Sequence, residues 1–237
     1  MKYENLRPAI FLARPNRFIA HCRLDGEEVI AHVKNTGRCR ELLIPGTTVY
    51  LQYEDKATRK TAYTLSHVQK GRRIIQIDSQ APNRLVKEAL EEGRLSLPGF
   101  GVPTLIRPET FYGESRFDLY LENGEKKAFM EIKGVTLEAD DWARFPNAPT
   151  ERGIKHLSHL AKAAAEGYFC YAVFVIQMEE IRGFSPNYAT HPAFGKALIE
   201  AQKQGVVPLA FGCRVTLNEA VLADPVPVDL WKGYETV

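Results

Sequence analysis

The most constraining feature of this sequence is a pair of short alternating segments on either side of the dipeptide Asn123-Gly124. Apolar residues alternate with polar ones in both segments: Phe117, Leu119 and Leu121 before the dipeptide, Met130 and Ile132 after it. Alternation with a period of two over so short a run is typical of a half-buried strand. Asn-Gly between two such runs is the strongest short-range signal of a β-hairpin. Residues 116–135 are therefore predicted to form a hairpin.

The register of this hairpin decides which side chains face each other. If Gly124-Glu125 is the turn, Asp118 lies directly opposite Glu131, and if Asn123-Gly124 is the turn, the two are diagonal neighbours. In either register, the alternation places both carboxylates and Lys133 on one face. The opposite face is predicted to be apolar and to hold Phe117, Leu119, Met130 and Ile132.

Two carboxylates on one strand face need a compensating charge, because at about 5–8 Å across a sheet they repel each other. A divalent cation would convert this repulsion into a binding site, and oxygen ligands with room for water suit Mg²⁺, with Mn²⁺ as the substitute. Lys133 could orient an attacking water or neutralise charge on a phosphate. The layout is that of metal-assisted phosphodiester hydrolysis. The alternative is a solvent-facing sheet surface with a simple contact between Glu131 and Lys133.

The remaining composition is that of an ordinary globular protein. The longest apolar run, residues 168–176, is too short to span a bilayer, and the N-terminus lacks an apolar signal core. The four cysteines are widely spaced with no Cys-x-x-Cys pair, which predicts reduced, mostly buried thiols and a cytoplasmic location. His156 and His159 stand at helical spacing without evident partners, so no zinc site is expected.

Charge is divided unevenly along the chain. Residues 1–80 hold 14 Lys and Arg against 8 Asp and Glu, a net charge of +6, whereas residues 81–237 hold 17 against 21, a net charge of −4. A basic first part beside a second part with clustered carboxylates suggests that one part holds a polyanion and the other acts on it. A chance fluctuation on a solvated surface is the alternative.

Residues 16–80 contain about five short alternating segments separated by turn signals, which favours a small closed barrel. An oligonucleotide-binding (OB) barrel is the best specific match. Phe18, Tyr50 or Tyr53 could stack on bases, and aromatic residues among basic ones suit nucleic acid. The alternative is a structural barrel with solubilising arginines. The basic residues expected on the exposed face are Arg14, Arg17, Arg38, Arg40, Lys56, Arg59 and Lys60.

Residues 81–237 alternate between helical and strand patterns, which predicts a mixed sheet flanked by helices. Helices are predicted at residues 82–92, 151–167 and 193–204, and strands beside the hairpin at residues 105–112, 169–177 and 206–213. Residues 138–150 contain two prolines and no period, and are predicted to form a loop. Thr150 is the expected N-cap of the second helix, whose polar surface is predicted to include Arg152, Lys155 and His156.

Two of these elements bring further polar residues towards the hairpin. Asn83 and Arg84 lie in the first turn of the first predicted helix, where backbone N–H groups and the helix dipole could meet a phosphate. More often such residues only cap the helix. The strand predicted at residues 105–112 brings Glu109, a third carboxylate, near the hairpin.

Several motifs resemble those of the sugar fermentation stimulation protein A (SfsA) family, and the matches extend over nearly the full length of the chain. The longer motifs are Ser115-Arg116-Phe117-Asp118, Glu131-Ile132-Lys133-Gly134-Val135-Thr136-Leu137 and the specific run Thr150-Glu151-Arg152-Gly153-Ile154-Lys155-His156. The shorter ones are Asn16-Arg17-Phe18, Asn35-Thr36-Gly37, Asn83-Arg84-Leu85 and Phe184-Ser185-Pro186-Asn187.

The resemblance implies an α/β (α+β) protein with an OB-like domain at residues 1–80 and a restriction-endonuclease-like, PD-(D/E)xK domain at residues 81–237. It places Asp118, Glu131 and Lys133 at the motif's catalytic positions, with Glu109 at the acidic position that often joins the metal site. Phe117 stands where the motif has proline. The family's association with DNA suggests these contacts to nucleic acid: Arg17, Asn35, Arg38, Arg40, Asn83, Arg84, Arg152 and Lys155.

The expected function is therefore a DNA-cleaving enzyme dependent on Mg²⁺ or Mn²⁺. The rival is a DNA-binding regulator of sugar-metabolism genes, built on a nuclease fold without significant cleavage. An RNA-binding module that uses only the barrel is a third class, but it would give the hairpin carboxylates no function. DNA is the expected partner, no membrane partner is expected, and a homodimer is one of the oligomeric states that the sequence leaves open.

Overall fold

The computed structural model describes residues 1–35, 37–54 and 61–234. Within this part of the chain, the first six strands form one sheet in the order β3-β2-β1-β4-β5-β6. These strands are β1 (Leu6–Asn16), β2 (Ile19–Leu24), β3 (Glu27–Val33), β4 (Thr48–Tyr53), β5 (Tyr63–Lys70) and β6 (Arg73–Gln76).

A parallel pairing between β3 and β5 closes the first five strands into a barrel, and β6 extends it. The alternation that predicted the barrel from the sequence is visible in β2, where Ala20, Cys22 and Leu24 point into the core and the residues between them are half-buried or exposed. The predicted small closed barrel is confirmed.

The prediction missed the longest strand of this barrel. β1 begins at Leu6, whereas the first predicted strand began at residue 16, and β2 itself begins only at Ile19. β1 was not recognised as a strand because it contains Pro8, and proline argues against a central strand. The structure accommodates it because Pro8 pairs only with Tyr50 of β4, in the part of β1 that β2 does not reach.

The second six-stranded sheet has the order β15-β14-β12-β9-β8-β7. Its strands are β7 (Leu105–Tyr112), β8 (Ser115–Asn123), β9 (Lys126–Val135), β12 (Phe169–Ile176), β14 (Val206–Val215) and β15 (Ala220–Pro225). The three central strands, β9, β12 and β14, are parallel, and the outer strands are antiparallel to their neighbours. This is the predicted mixed sheet.

Three helices cover the two faces of this sheet: α1 (Ala81–Glu91), α2 (Glu151–Ala165) and α3 (Pro192–Lys203). The buried residues of α1 share a cluster with Leu119 and Met130, whereas those of α2 and α3 share one with Phe129 and Phe174. The helices therefore lie on opposite faces, and β12 between them is buried on both sides, as predicted. Thr150 caps α2 by accepting the N–H of Gly153 at 3.1 Å, also as predicted.

The segment predicted as a loop at residues 138–150 contains regular structure instead. A small three-stranded sheet pairs β10 (Leu137–Ala139) with β11 (Trp142–Phe145), and β11 with β13 (Gly183–Pro186) in parallel. The prediction failed because strands of three or four residues carry too little periodicity. The partner strand of β11 also lies far along the chain, with Trp142 opposite Gly183.

The hairpin of β8 and β9 has the first of the two predicted registers. Asn123 pairs with Lys126, so Gly124 and Glu125 form the turn, and Leu119 pairs with Met130. Gly124 has φ of 61°, a conformation that glycine adopts without strain. The pairing directs Asp118 towards the neighbourhood of Glu131.

The prediction that Phe117 shares a face with Leu119 is wrong. Phe117 packs against Phe129 on the α2 side, whereas Leu119 belongs to the cluster beneath α1. The reason is a bend at Asp118. The pairing of β8 with β9 extends from Leu119 to Asn123 and does not include Asp118. The Asp118 carboxylate accepts the backbone N–H of Ile132 at 2.7 Å and takes the place of a strand-to-strand hydrogen bond.

The barrel and the second sheet are joined by a continuous core. Ile75 and Ile77 of the barrel belong to the same hydrophobic cluster as Val135 and Ile176 of the second sheet. All four cysteines are free and buried, as predicted. None of the helices in the described residues is long and apolar enough to cross a membrane.

Candidate active site

A cleft of about 280 Å³ opens where β8 bends away from β9. Of the residues proposed from the sequence, it brings together Asn83, Glu109, Asp118, Glu131, Lys133 and Arg152. They come from α1, three neighbouring strands and the first turn of α2. The cleft therefore lies within the second sheet, at the place that the hairpin pattern indicated.

Asp118 is held in place through both of its oxygens. Oδ1 accepts from the Asn83 side chain at 2.8 Å, and Oδ2 accepts from the Ile132 backbone at 2.7 Å. Burial raises the pKa of Asp118 above its usual range, and the negative charge of Glu131 raises it further. Asp118 is therefore a preoriented carboxylate in a site that disfavours a second negative charge.

Glu131 is buried and has one oxygen satisfied and the other free. Its Oε1 accepts from both Lys133 Nζ and His156 Nδ1. Its Oε2 is buried and has no hydrogen-bond partner among the described residues. Burial alone would raise the pKa of Glu131, but the contacts with His156 and Lys133 outweigh it and lower the pKa overall. The result is an ionised carboxylate with a vacant acceptor oxygen.

His156 is the residue of the candidate site that the sequence analysis missed. It was expected on the polar surface of its helix without a partner, but it is buried and hydrogen-bonded to Glu131. Its other ring nitrogen, Nε2, accepts from Arg152 Nε at 3.4 Å. Arg152 and His156 lie one turn apart on α2, so the helix presents both to the cleft. The only sequence signal was that His156 ends the specific run beginning at Thr150.

Gly134, directly after Lys133, lets α1 approach the hairpin closely. A Cβ atom at this position would lie 2.8 Å from Pro82 of α1 and 2.6 Å from Gln177, closer than packed atoms tolerate. Asn83 follows Pro82 in the first turn of α1 and reaches Asp118 from there. The glycine of the Glu131-to-Gly134 motif therefore has a packing role that supports the site.

Glu109 lines the cleft, but its carboxylate is paired with Arg116 at 3.5 Å and is largely exposed. Its backbone has φ of 51°, an uncommon value for a residue other than glycine. Across the described residues, no group of three or more His, Cys, Asp and Glu side chains is placed to share a metal ion. Glu109 is therefore not positioned as a third carboxylate beside Asp118 and Glu131 in this conformation.

Two residues of the helices that were expected to contact nucleic acid lie outside the cleft. Arg84 is exposed on α1, 3.8 Å from Glu88, and faces a different depression from that of the carboxylates. Lys155 is exposed on α2 and paired with Glu114 at 3.1 Å. Asn83 lies in the cleft, but its side-chain amide is used by Asp118.

Four arginines of the barrel line a separate pocket of about 480 Å³. Arg17, Arg38 and Arg40 line it and are exposed, while Arg14 lies deeper and bonds to loop carbonyls. Asn35 is also occupied, because its side chain donates to the Ile77 carbonyl at 2.8 Å and accepts from the loop backbone. Lys56, Arg59 and Lys60, also expected on this face, lie outside the described residues.

The expected aromatic residues differ in accessibility. Phe18 is 52% exposed, and the Arg17 guanidinium lies 5.4 Å from its ring centre. Tyr53 is also exposed and packs edge-on against Tyr63. Tyr50 is half-buried and hydrogen-bonded through its hydroxyl. Of the three, Phe18 is the one whose ring contacts an arginine that lines the basic pocket.

Comparison with known proteins agrees with this two-part architecture. The profile described as the sugar fermentation stimulation protein RE domain matches residues 80–219, and the SfsA N-terminal OB domain matches residues 12–77. The chain belongs to the sugar fermentation stimulation protein family. The family profiles thus place the cleft in the RE domain and the basic pocket in the OB domain.

Family relatives resemble the chain over almost its whole length. The sugar fermentation stimulation protein homolog of Desulfitobacterium hafniense (strain DSM 10664 / DCB-2) is 54% identical over 98% of this chain and 100% of the relative. The homolog of Ruminiclostridium cellulolyticum is 52% identical over 91% and 93%. Among solved structures, Pyrococcus furiosus SfsA in complex with Ca²⁺ has a TM-score of 0.88 at 30% identity, covering 97% of this chain and 98% of that one.

Proposed function

We propose that this chain is a divalent-cation-dependent nuclease that binds DNA through its barrel and hydrolyses a phosphodiester bond in the cleft. The observation that carries the proposal is the buried Oε2 of Glu131, which has no partner in the described residues and lies in the same cleft as Asp118. A buried, ionised oxygen without a partner is costly. A cation between the two carboxylates would remove that cost.

The donor set fits a hard cation. Asp118 and Glu131 supply carboxylate oxygens, and Mg²⁺ in phosphoryl-transfer sites is usually held by one or two carboxylates together with waters and substrate phosphate. Two protein ligands therefore suffice without Glu109. The related Pyrococcus furiosus structure, described as a complex with Ca²⁺, supports a hard-cation site in this family. A bound Mg²⁺ or Mn²⁺ would supply Lewis-acid stabilisation of the phosphate and lower the pKa of a bound water.

The chain's own residues would prepare this site in distinct ways. Asn83 and the Ile132 N–H fix the orientation of Asp118, and His156 fixes that of Glu131. Lys133 keeps a positive charge at the carboxylate pair, where it can orient the attacking water or stabilise charge that develops on the phosphate.

Arg152 is the cleft residue best placed to meet the substrate phosphate. Its Nε is directed to His156, and no ion pair to a carboxylate is found for it within the described residues. An arginine that lines the cleft and has guanidinium donors without a partner among the described residues suits phosphate recognition. The barrel would add affinity, since its net charge of +6 and three exposed pocket arginines attract a polyanion.

One observation favours the second candidate, a DNA-binding regulator that does not cleave. The cleft is partly neutralised without any cation, because Lys133 pairs with Glu131 and Arg116 pairs with Glu109. Such a site could remain a structural ion-pair network. In that case the barrel would carry the whole function.

A cleavage assay separates the two candidates. The purified protein would be incubated with single- and double-stranded DNA in Mg²⁺, Mn²⁺ or EDTA, beside Glu131→Gln and Glu114→Gln. The proposal expects cation-dependent cleavage by the wild type that is lost in Glu131→Gln. Glu114→Gln, an equivalent change at an exposed site outside the cleft, should retain cleavage. DNA binding without cleavage in any metal would instead favour the regulator.

A further inference from the structure

The basic pocket of the barrel is not lined by charge alone. Its walls combine apolar and basic side chains: Phe11, Leu43 and Pro45 with Arg17, Arg38 and Arg40. No Asp or Glu side chain is found among its described lining residues. A surface that only attracted duplex phosphates would need the charges but not an open pocket of about 480 Å³ with apolar walls as well.

Arg14 shapes this pocket and does not use its charge on a ligand. Its Nη1 donates to the carbonyls of Gly37 and Arg38, both at 2.8 Å. Its Nη2 donates to those of Arg17 and Asn35 at 2.8 and 2.6 Å. One guanidinium therefore connects the turn after β1 to the loop after β3, and fixes the backbone at both Arg17 and Arg38.

Phe18 follows Arg17, one of the residues that line the pocket, and offers an exposed aromatic face beside that cation. Its ring is 52% exposed and lies 5.4 Å from the Arg17 guanidinium carbon. The Asn16 side chain fixes the backbone here by accepting the N–H groups of Phe18 and Ile19 at 2.9 and 3.1 Å. An apolar ring kept in solvent on a well-anchored turn is typical of a stacking platform for bases.

A short stretch of chain and two hydrogen bonds connect the pocket to the cleft. Gly37 lines the pocket and is three residues from Lys34, a separation of at most about 11 Å. The Lys34 carbonyl accepts from the N–H and the hydroxyl of Ser79 at 3.0 and 2.6 Å. Ser79 in turn lines the cleft that holds Asp118. One nucleic-acid strand could therefore contact both places.

We propose that the barrel pocket binds one unpaired nucleotide of a single-stranded segment, with the base against Phe18 and the apolar walls and the phosphate on Arg17, Arg38 and Arg40. The base of a duplex would first have to leave its stack and its base pair, which costs a few kcal/mol, whereas an unpaired base can enter directly. Resting on the proposed function, this inference names the substrate class as DNA with a single-stranded end or gap.

The test measures binding without cleavage. Fluorescence anisotropy in EDTA would compare single-stranded DNA, duplex DNA and single-stranded RNA of one sequence, each titrated with the full-length wild type and Phe18→Ala. Phe111→Ala serves as the matched control, because Phe111 is an exposed aromatic residue on β7 of the second sheet, whereas Phe18 contacts Arg17 of the pocket. Arg23→Ala controls for loss of one exposed barrel charge outside the pocket.

The wild type is expected to bind single-stranded DNA more tightly than the duplex. Phe18→Ala should weaken single-strand binding by about 5- to 150-fold, the range that corresponds to losing one base-stacking contact, and leave duplex binding unchanged. The two controls should bind single strands as the wild type does. The inference would be overturned if the wild type bound both DNA forms with equal affinity, or if Phe18→Ala bound single-stranded DNA as tightly as the wild type.

The RNA arm and the use of EDTA separate this inference from the proposed function. Tighter binding of RNA than DNA, still dependent on Phe18, would support the pocket and overturn DNA as the substrate. Since EDTA removes the cation, the binding result does not depend on whether the cleft cleaves. Cleavage by a protein that shows no single-strand preference would leave the proposed function standing and refute the pocket.

Discussion

Replacing the buried histidine of the barrel, His67, should remove a large part of the protein's sensitivity to mild acid. The His67 side chain is fully buried. Its Nδ1 lies 2.8 Å from the Ser66 hydroxyl, its ring packs edge-on against Tyr3 at 4.7 Å, and its Nε2 is buried without a partner in the described residues. No acidic side chain is found in contact with the ring within that part of the chain, so a protonated His67 would be a buried charge without compensation.

The magnitude follows from the shifted pKa. Burial lowers the pKa of His67 from its ordinary value of 6.5 to about 4. As the pH falls through 6.5 the unfolded chain takes up a proton, whereas the folded protein does so only near pH 4. The unfolded state binds more protons in this window, so the free energy of unfolding decreases as the pH falls. At about 1.4 kcal/mol per pH unit, protonation linked to His67 lowers the free energy of unfolding by about 3 kcal/mol between pH 6.5 and pH 4.

Urea unfolding at a series of pH values between about 7 and 4.5, monitored by circular dichroism, would measure this loss in the wild type and in His67→Phe. Phenylalanine keeps an aromatic ring against Tyr3, and the Ser66 hydroxyl retains the Tyr50 carbonyl at 3.4 Å. The free energy of unfolding of the wild type should fall by up to about 3 kcal/mol more than that of the variant. Other acid-sensitive groups are common to both proteins and cancel in the difference. If the free energy of unfolding fell equally with pH in the wild type and in His67→Phe, the assignment to His67 would be refuted.

Two further predictions concern the cleft. Lys133→Ala should lower the cleavage rate by about 10²–10³-fold, the cost of removing one electrostatic stabiliser, while DNA affinity in a binding assay stays within several-fold because other phosphate contacts remain. Undiminished cleavage would exclude Lys133 from the mechanism. Titration calorimetry with Mg²⁺ or Mn²⁺ should detect a site in the wild type that is absent from the double variant Asp118→Asn, Glu131→Gln, since these carboxylates are its proposed ligands. Equal binding to both proteins would contradict that assignment.

The hairpin could be predicted from the sequence because its determinants are local. The turn and the alternation lie within 20 residues of each other, and together they restricted the register to two choices, one of which is observed. The bend at Asp118 could not be predicted in this way. It depends on two hydrogen bonds of the Asp118 side chain. One is accepted from the Ile132 backbone N–H in place of a strand-to-strand bond, and the other is accepted from Asn83 of α1.

The same distinction explains the errors at His156 and in β11. Helical periodicity placed His156 among polar neighbours on α2, but the buried carboxylate of Glu131 gives it a partner from a distant strand. β11 has only four residues, and it is a strand because β13 pairs with it. Periodicity reports how one element divides between core and solvent, and carries no information on which polar residues meet inside the fold.

The junction between the two domains has a consequence for how a strand bound to the barrel would meet the cleft. Gln177 of the second sheet donates to the Gln76 side chain and the Asp78 carbonyl at 3.0 and 2.9 Å, and both glutamines are buried. These hydrogen bonds lie beside the core that the barrel and the second sheet share. Separating the domains would expose apolar surface and leave buried amides without partners, a cost that disfavours hinge motion. The barrel pocket and the Asp118–Glu131 pair are therefore held at a fixed separation, so a nucleotide held in the pocket would determine which phosphate reaches the carboxylates.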